Sequence, residues 1–200
     1  MKNRNVPVLI GLLLAAPVCW AGVVVGRPAP AFSLSDAAGQ PRSLAEFSGQ
    51  FVVLEWVNPD CPFVRKHYDS GNMQGLQQTY TQKGVAWLSI NSSAPGKQGH
   101  LTTETAQQFV KERAAYPTAV LLDPDGVVGR RYGAKTTPHM FIIDPKGILI
   151  YAGAIDDIAS PDPADISEAV NYVATALEEA MDGQPVSVPA SHPYGCTVKY

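Results

Sequence analysis

The chain has 200 residues, 46% of them apolar and 16% charged, with 15 lysines and arginines against 18 acidic residues and a net charge of −3. That balance supports one sizeable core and excludes intrinsic disorder. Its 17 glycines and 17 prolines follow no period, which excludes collagen-like and low-complexity structure, and with no clustered cations a nucleic-acid surface is excluded too.

The first residues read as an export signal. Lys2 and Arg4 precede an apolar stretch from Val6 to Val18, too short for an ordinary membrane span, and Cys19-Trp20-Ala21 ends on a small residue. Cleavage is expected after Ala21; Ala16-Pro17-Val18 makes a poor lipoprotein box before Cys19. The mature protein is then expected in the periplasm or secreted, with no stable membrane insertion. Of Cys19, Cys61 and Cys196 it keeps the last two, which in an oxidising compartment make either one structural bridge or one chemical site.

From residue 22 to residue 183 strand and helix signals alternate. Apolar and β-branched runs predict strands over 51–57, 85–91, 118–122, 140–143 and 148–152. Asp123 to Gly126 and Asp144 to Gly147 are Asp-Pro-x-Gly turns, the second joining a hairpin. Leu76 and Tyr80, and then Ala106, Phe109 and Val110, predict amphipathic helices over 73–83 and 103–113. A last helix is expected from an Asp162 cap and Pro163 at its first position, through Ile166, Val170, Val173 and Leu177, to Gly183. Residues 184–200 form a Pro-rich tail carrying Cys196. This order predicts an α/β protein, a three-layer α/β/α sandwich around a central mixed sheet.

The chemistry concentrates in Asn58-Pro59-Asp60-Cys61-Pro62-Phe63-Val64-Arg65-Lys66-His67-Tyr68, where a hydrophobic strand ends in a polar turn and Cys61 stands at a helix N-terminus with Pro62 behind it. Free N–H groups and the positive end of the helix dipole stabilise a thiolate, and Arg65, Lys66 and His67 are expected to add positive charge. Cys61 is therefore the candidate nucleophile. The competing reading of a lone cysteine is an inert core residue.

Residues 25–157 resemble the thioredoxin-like superfamily, and within it the peroxiredoxin-like branch of the AhpC/TSA (redoxin) proteins. The resemblance rests on Val25 to Leu34 at the entry, Asn58 to Lys66 around the cysteine, Tyr116-Pro117, Tyr132 to Pro138, Phe141 to Asp144, Tyr151 to Asp157 and, in the tail, Gly195 to Lys199. It implies that Cys61 is the attacking thiol of such a site and that Glu55 occupies the place of a buried proton-relaying carboxylate. A carboxylate inside an apolar strand also has an independent warrant as a base, because burial raises its pKa; the alternative is an edge-strand Glu facing solvent. The resemblance further places Thr137-Pro138 at a cis-proline ledge that orients a partner strand, with Asn58 and Pro62 beside the cysteine as further substrate contacts.

The chain departs from the pattern in three ways. Val64 replaces the second cysteine of Cys-x-x-Cys, Asn58 and Leu54 replace the Thr and Pro that precede a peroxidatic cysteine, and Pro138 falls where a peroxide-binding arginine is expected, leaving Arg65, Arg130 or Arg131 as substitutes. Cys61 thus needs another resolver, and Cys196 is the candidate if the tail folds back over the site; a free tail thiol and a structural clamp are the alternatives. The expected function is an exported thiol-disulfide oxidoreductase or peroxiredoxin-like antioxidant protein, acting on a disulfide or peroxide and recharged by a protein or small-molecule thiol. No nucleotide, haem or flavin motif is visible, so no cofactor or resident metal is expected. Two other readings stay open: a copper-handling protein using Cys61, His67 and His139, and a redox-silent module that binds a partner strand. Asp156-Asp157 reads as a solvated pair at a strand end.

Overall fold

The computed structural model describes residues 22–200; the expected export signal, Cys19 and the cleavage site after Ala21 lie outside the described residues. A seven-stranded mixed sheet forms the centre, in the order β2-β1-β5-β4-β3-β7-β8. Its strands are β1 (Ser33–Asp36), β2 (Pro41–Ser43), β3 (Val52–Trp56), β4 (Ala86–Asn91), β5 (Ala119–Leu122), β7 (His139–Ile143) and β8 (Leu149–Gly153). β3, β4 and β5 run parallel, and β7 lies antiparallel on the other side of β3. The five residues of β3 are all buried, as expected of a strand covered on both faces.

One face carries α1 (Pro62–Asp69), α2 (Asn72–Gln82), α3 (Thr103–Glu112) and α5 (Tyr172–Met181), packed through Val64, Tyr68, Leu76, Tyr80, Phe109, Val173 and Leu177 against Val53, Trp87, Met140 and Ile142. The other face is thinner. The short helix α4 (Val127–Tyr132) and a 3-10 turn at Leu44–Phe47 cover Leu54, Trp56, Leu88, Ile90, Phe141 and Ile143 there. The fold is the thioredoxin-like three-layer sandwich, its mixed sheet held between these two apolar layers.

Several local expectations need correction. The helix expected from Asp162 to Gly183 is two elements: Asp162 accepts from Ala164 N–H at 2.9 Å and caps only a 3-10 turn at Pro163–Ser167, and α5 begins again after Asn171, whose side chain accepts from Ala174 N–H at 2.9 Å. Between them the Val170 N–H is taken by Asp157 at 2.8 Å and Val170 itself is exposed, so the apolar periodicity overran a real break. The Asp123 to Gly126 turn leads into α4, which the sequence reading did not contain. There the Asp123 carboxylate accepts the Gly129 N–H at 2.9 Å and the Ser92 hydroxyl at 2.6 Å.

Residues 184–200 dock along the sheet edge and then across the C-terminal end of β3. Ser191 accepts from Ala154 N–H at 2.9 Å, Val198 is buried in the thinner face, and Tyr200 donates to the Ala134 carbonyl at 2.8 Å. Cys196–Thr197 forms β9, which pairs antiparallel with β6 (Thr136–Thr137). Among the described residues no helix is long and apolar enough to cross a membrane.

Candidate active site

The turn after β3 is built so that Cys61 ends at the head of α1. Asn58 is buried; its Oδ1 accepts from Asp60 N–H at 2.9 Å, its amide donates to the Gln98 carbonyl at 3.1 Å, and its own carbonyl accepts the Cys61 N–H at 3.1 Å. Asn58, expected to face substrate, is thus spent on loop geometry. Cys61 is the N-cap residue, with extended φ −77 and ψ 125, and its carbonyl accepts Val64 N–H at 3.0 Å and Arg65 N–H at 2.9 Å. Pro62 takes the first helical position, where its missing N–H costs nothing, and it is exposed.

The Cys61 sulfur is wholly buried and donates to the Thr137 carbonyl at 3.0 Å. The Thr137-Pro138 bond is cis, and this peptide presses against the thiol as the sequence reading expected. Opposite Thr137, in register, stands Cys196. Both cysteines are free thiols. Burial pushes the Cys61 pKa up, but hydrogen bonds from the Cys196 thiol, from Thr137 and from backbone N–H groups that include Val64 outweigh it, so Cys61 is held below the ordinary thiol range. The Thr137 carbonyl alone works the other way, since it accepts only from the protonated form. Burial and the Cys61 sulfur push Cys196 up to about 11. The pair is polarised, with Cys61 the sulfur that ionises before Cys196.

The cations expected to acidify Cys61 do not do so. Arg65 points outward to Asp60, 3.6 Å away, and to the Pro59 carbonyl. Lys66 and His67 turn to the opposite side of α1, where Lys66 donates to the Ile158 carbonyl at 2.9 Å and lies 3.3 Å from Asp156, a cluster with no solvent access. His67, 3.8 Å from Asp156, is driven down to about 4 by burial, and its Nδ1 meets the Asn72 amide at 2.9 Å. His139 sits on Phe141 at 4.4 Å, accepts from Lys135 N–H at 3.2 Å and is driven down to about 3 by burial. Both imidazoles are neutral at neutral pH, and neither is in hydrogen-bond contact with Cys61. Among the described residues no three histidine, cysteine or acidic side chains gather as a metal site. Asp156 is not the solvated residue expected, being 2% exposed. Arg130 lies over the Tyr200 ring and donates to the Asp125 carbonyl at 2.7 Å, while Arg131 donates to the Ala31 carbonyl at 2.6 Å.

Glu55 lies in a central strand, fully buried, not at a solvent edge. Its Oε1 accepts the Tyr68 hydroxyl at 2.9 Å; its Oε2 accepts Trp87 Nε1–H and the Ser89 hydroxyl at 2.8 Å and the Gln77 amide at 3.2 Å. Burial raises its pKa although all four donors pull the other way. Cys61 is not among its partners; the carboxylate in β3 holds Tyr68 of α1, the helix that Cys61 caps, without touching the thiol.

The sequence assigns no role at the site to Asp156, Tyr194 or Gly195, and the structure brings all three to it. Tyr194 donates a short hydrogen bond to Asp156, sits 3.4 Å from His67 Nε2, and packs edge-on against Phe63 at 5.8 Å. Gly195 has φ +133, and a Cβ there would come within 2.1 Å of the Thr137 carbonyl oxygen. The glycine in Gly195-Cys196 was the available signal, since a residue without Cβ beside a cysteine lets backbone approach backbone. An apolar groove of about 460 Å³ lined by Val25, Phe51, Ile150, Ala180 and Pro185 holds none of these residues.

A buried thiol held below the ordinary thiol range at a helix N-terminus, under a cis-proline peptide and facing a second thiol, is an arrangement suited to thiol–disulfide exchange. Residues 25–152 match the AhpC/TSA family, and the chain belongs to it. It is similar to the thiol-disulfide oxidoreductase ResA of Bacillus thuringiensis subsp. konkukian, 28% identical over 127 residues that cover 63% of this chain and 67% of that one. It is similar also to the thiol:disulfide interchange protein DsbE of Tatumella citrea, 26% identical over 173 residues, covering 78% and 86% of the two chains. A crystal structure of a hypothetical protein from Sinorhizobium meliloti 1021 superposes with a TM-score of 0.78 at 26% identity, covering 90% of this chain and 96% of the other.

Proposed function

We propose that this chain is an exported thiol-disulfide oxidoreductase in which Cys61 attacks and Cys196 resolves. The observation that carries it is the polarised pair: two free thiols in register across β6 and β9, one held below the ordinary thiol range and the other pushed up to about 11. In the forward half-reaction the Cys61 thiolate attacks one sulfur of a substrate disulfide; a Cys61–substrate bond forms and the second substrate sulfur leaves as a thiolate, which takes a proton. Ionised Cys61 no longer attracts the Cys196 proton once its sulfur is bonded, so Cys196 loses that proton to solvent and attacks the Cys61 sulfur. The Cys61–Cys196 disulfide forms and the first substrate thiolate leaves. The substrate gains two electrons and the protein loses two. A dithiol reductant reverses both bonds and restores the pair.

The remaining residues then hold rather than react. Glu55 anchors Tyr68 of α1, Asn58 fixes the turn, and the Thr137 carbonyl orients the Cys61 thiol. The names of the ResA and DsbE relatives support this chemistry. The signal expected at residues 1–21 supports a periplasmic or secreted location.

Turnover tests the proposal. Reduction of glutathione disulfide by a dithiol reductant is measured above the uncatalysed rate. Cys61→Ser is expected to abolish the acceleration, at least a hundredfold, and Cys196→Ser to slow it while leaving attack at Cys61 intact. Acceleration by Cys61→Ser equal to that of the unaltered protein would sink the assignment.

A further inference from the structure

The tail brings more than a second thiol to the site. β9 pairs with Thr136–Thr137, so the open backbone edge beside Pro138, the ledge on which a partner strand would lie, is already occupied by this chain's own residues. Gly195 makes the seating possible: it lies against the same Thr137 carbonyl that Cys61 donates to, and any side chain at position 195 would collide with that oxygen at 2.1 Å. The seat continues on both sides. Val198 N–H donates to the Lys135 carbonyl at 3.1 Å, and Ala94 N–H to the Lys199 carbonyl at 2.8 Å.

Tyr194, two residues before Cys196, reaches the buried Lys66–Asp156 pair. Its hydroxyl donates to Asp156 Oδ1, its ring covers the Lys66 ammonium at 5.6 Å, and the other carboxylate oxygen faces Lys66 at 3.3 Å without an aligned hydrogen bond. A buried charge pair left with unmet hydrogen-bonding capacity is costly, and the Tyr194 hydroxyl meets part of that need only while the tail is seated. Removing the tail therefore takes the Tyr194 hydroxyl from Asp156 Oδ1 and leaves the carboxylate only the Ile158 N–H at 3.1 Å and the Lys66 ammonium at 3.3 Å, which ties tail position to a buried electrostatic cost.

We propose that residues 194–198 are an internal occupant of the Cys61 site, held by Gly195 and by the Tyr194–Asp156 contact, and that this segment lifts as a unit before a polypeptide partner reaches Cys61. The inference rests on the assignment of Cys61 as the attacking thiol. Opening would free the Thr136–Thr137 edge for an extended partner segment carrying a cysteine, which takes the place of Cys196. Closure returns Cys196 to its register and completes resolution. The tail is thus both resolver and gate.

Two variants test it through a chemistry separate from disulfide exchange. The rate at which N-ethylmaleimide alkylates Cys61, read by peptide mass mapping on the thiolate plateau, is compared in the natural chain, Gly195→Ala and Tyr194→Phe. At least a tenfold increase is expected for Gly195→Ala and a smaller increase for Tyr194→Phe, in folded proteins with unchanged far-ultraviolet dichroism. Equal plateau rates in all three would overturn the gate while leaving the attacking role of Cys61 standing. Glutathione disulfide that fails to react with Cys61 even in Gly195→Ala would instead remove the redox assignment. Should Gly195→Ala not fold, hydrogen exchange on the unaltered reduced protein decides: amides of residues 196–198 are expected to exchange at least a hundredfold faster than those of β3, and exchange together with β3 would overturn the proposal.

Discussion

Cys61 owes its acidity to a neighbour that the sequence separates from it by most of the chain. In Cys196→Ala the thiolate loses the thiol donor and keeps Thr137 and the backbone N–H groups, so the Cys61 pKa is expected to rise toward the ordinary thiol range, read from the pH dependence of alkylation; an unchanged value would assign the acidity to the remaining donors and the helix terminus instead. Glu55 makes a stability claim at the same scale. Glu55→Ala leaves four buried donors, on Tyr68, Gln77, Trp87 and Ser89, without their acceptor, and is expected to cost about 3 kcal/mol or more in urea unfolding, with Glu55→Gln recovering most of it. A loss below about 1 kcal/mol would contradict the network. His139 supplies a pH signature. Its folded pKa of about 3 lies below the unfolded value, so in the window between them the unfolded state binds the extra proton and stability falls as pH falls. From pH 6.5 toward pH 4 this one group contributes a slope of about 1.4 kcal/mol per pH unit, and His139→Asn, which keeps an acceptor for Lys135, is expected to remove that share of the slope. Cys61 itself was legible because strand, polar turn, Cys and Pro are contiguous. Asp156 was not, because its partners Lys66 and Tyr194 come from two distant segments and nothing local distinguishes it from the exposed Asp157.

Among the elements, β3, β4, β7 and β8 were readable because each lies in a mostly apolar, β-branched or aromatic run bounded by turn residues. α4 was not, since Val127–Tyr132 is too short to show a helical period. The broken C-terminal helix teaches the opposite lesson: the apolar repeat through Ile166, Val170 and Val173 persists across a gap that only the Asn171 cap reveals. Asn171→Ala is expected to cost about 1 kcal/mol of stability by releasing the Ala174 N–H at the head of α5, and a thermal midpoint unchanged within error would show that the cap carries nothing. The tail was the least legible element. Its order comes from pairing with Thr136–Thr137, with Ala152 and with the Asp156 cluster, all contacts made with distant segments, so a Pro-rich stretch without periodicity carries no sign of where it docks.

At the level of the whole molecule, the two cysteines join the end of the chain to the turn after its central strand. A Cys61–Cys196 bond therefore closes a loop of well over a hundred residues, and on the chain-entropy account the bridged form is expected to resist urea by about 4 to 5 kcal/mol more than the dithiol form. Equal midpoints would mean that the bridge strains the fold by as much as it constrains the unfolded chain. The sandwich was legible from the order of strands, helices and turns and the family from its motifs, whereas the seating of Cys196 against Cys61 was not, because it depends on where the tail pairs with Thr136–Thr137.

The division of labour between the two sulfurs is tested most directly by locating the first sulfur to react. The reduced protein and its Cys196→Ser variant are treated with one equivalent of glutathione disulfide, quenched with acid, and mapped by mass spectrometry. The account predicts a Cys61–Cys196 disulfide in the natural chain and glutathione trapped on Cys61 in the variant. Glutathione found on Cys196 in the natural chain, with Cys61 still a thiol, would contradict it.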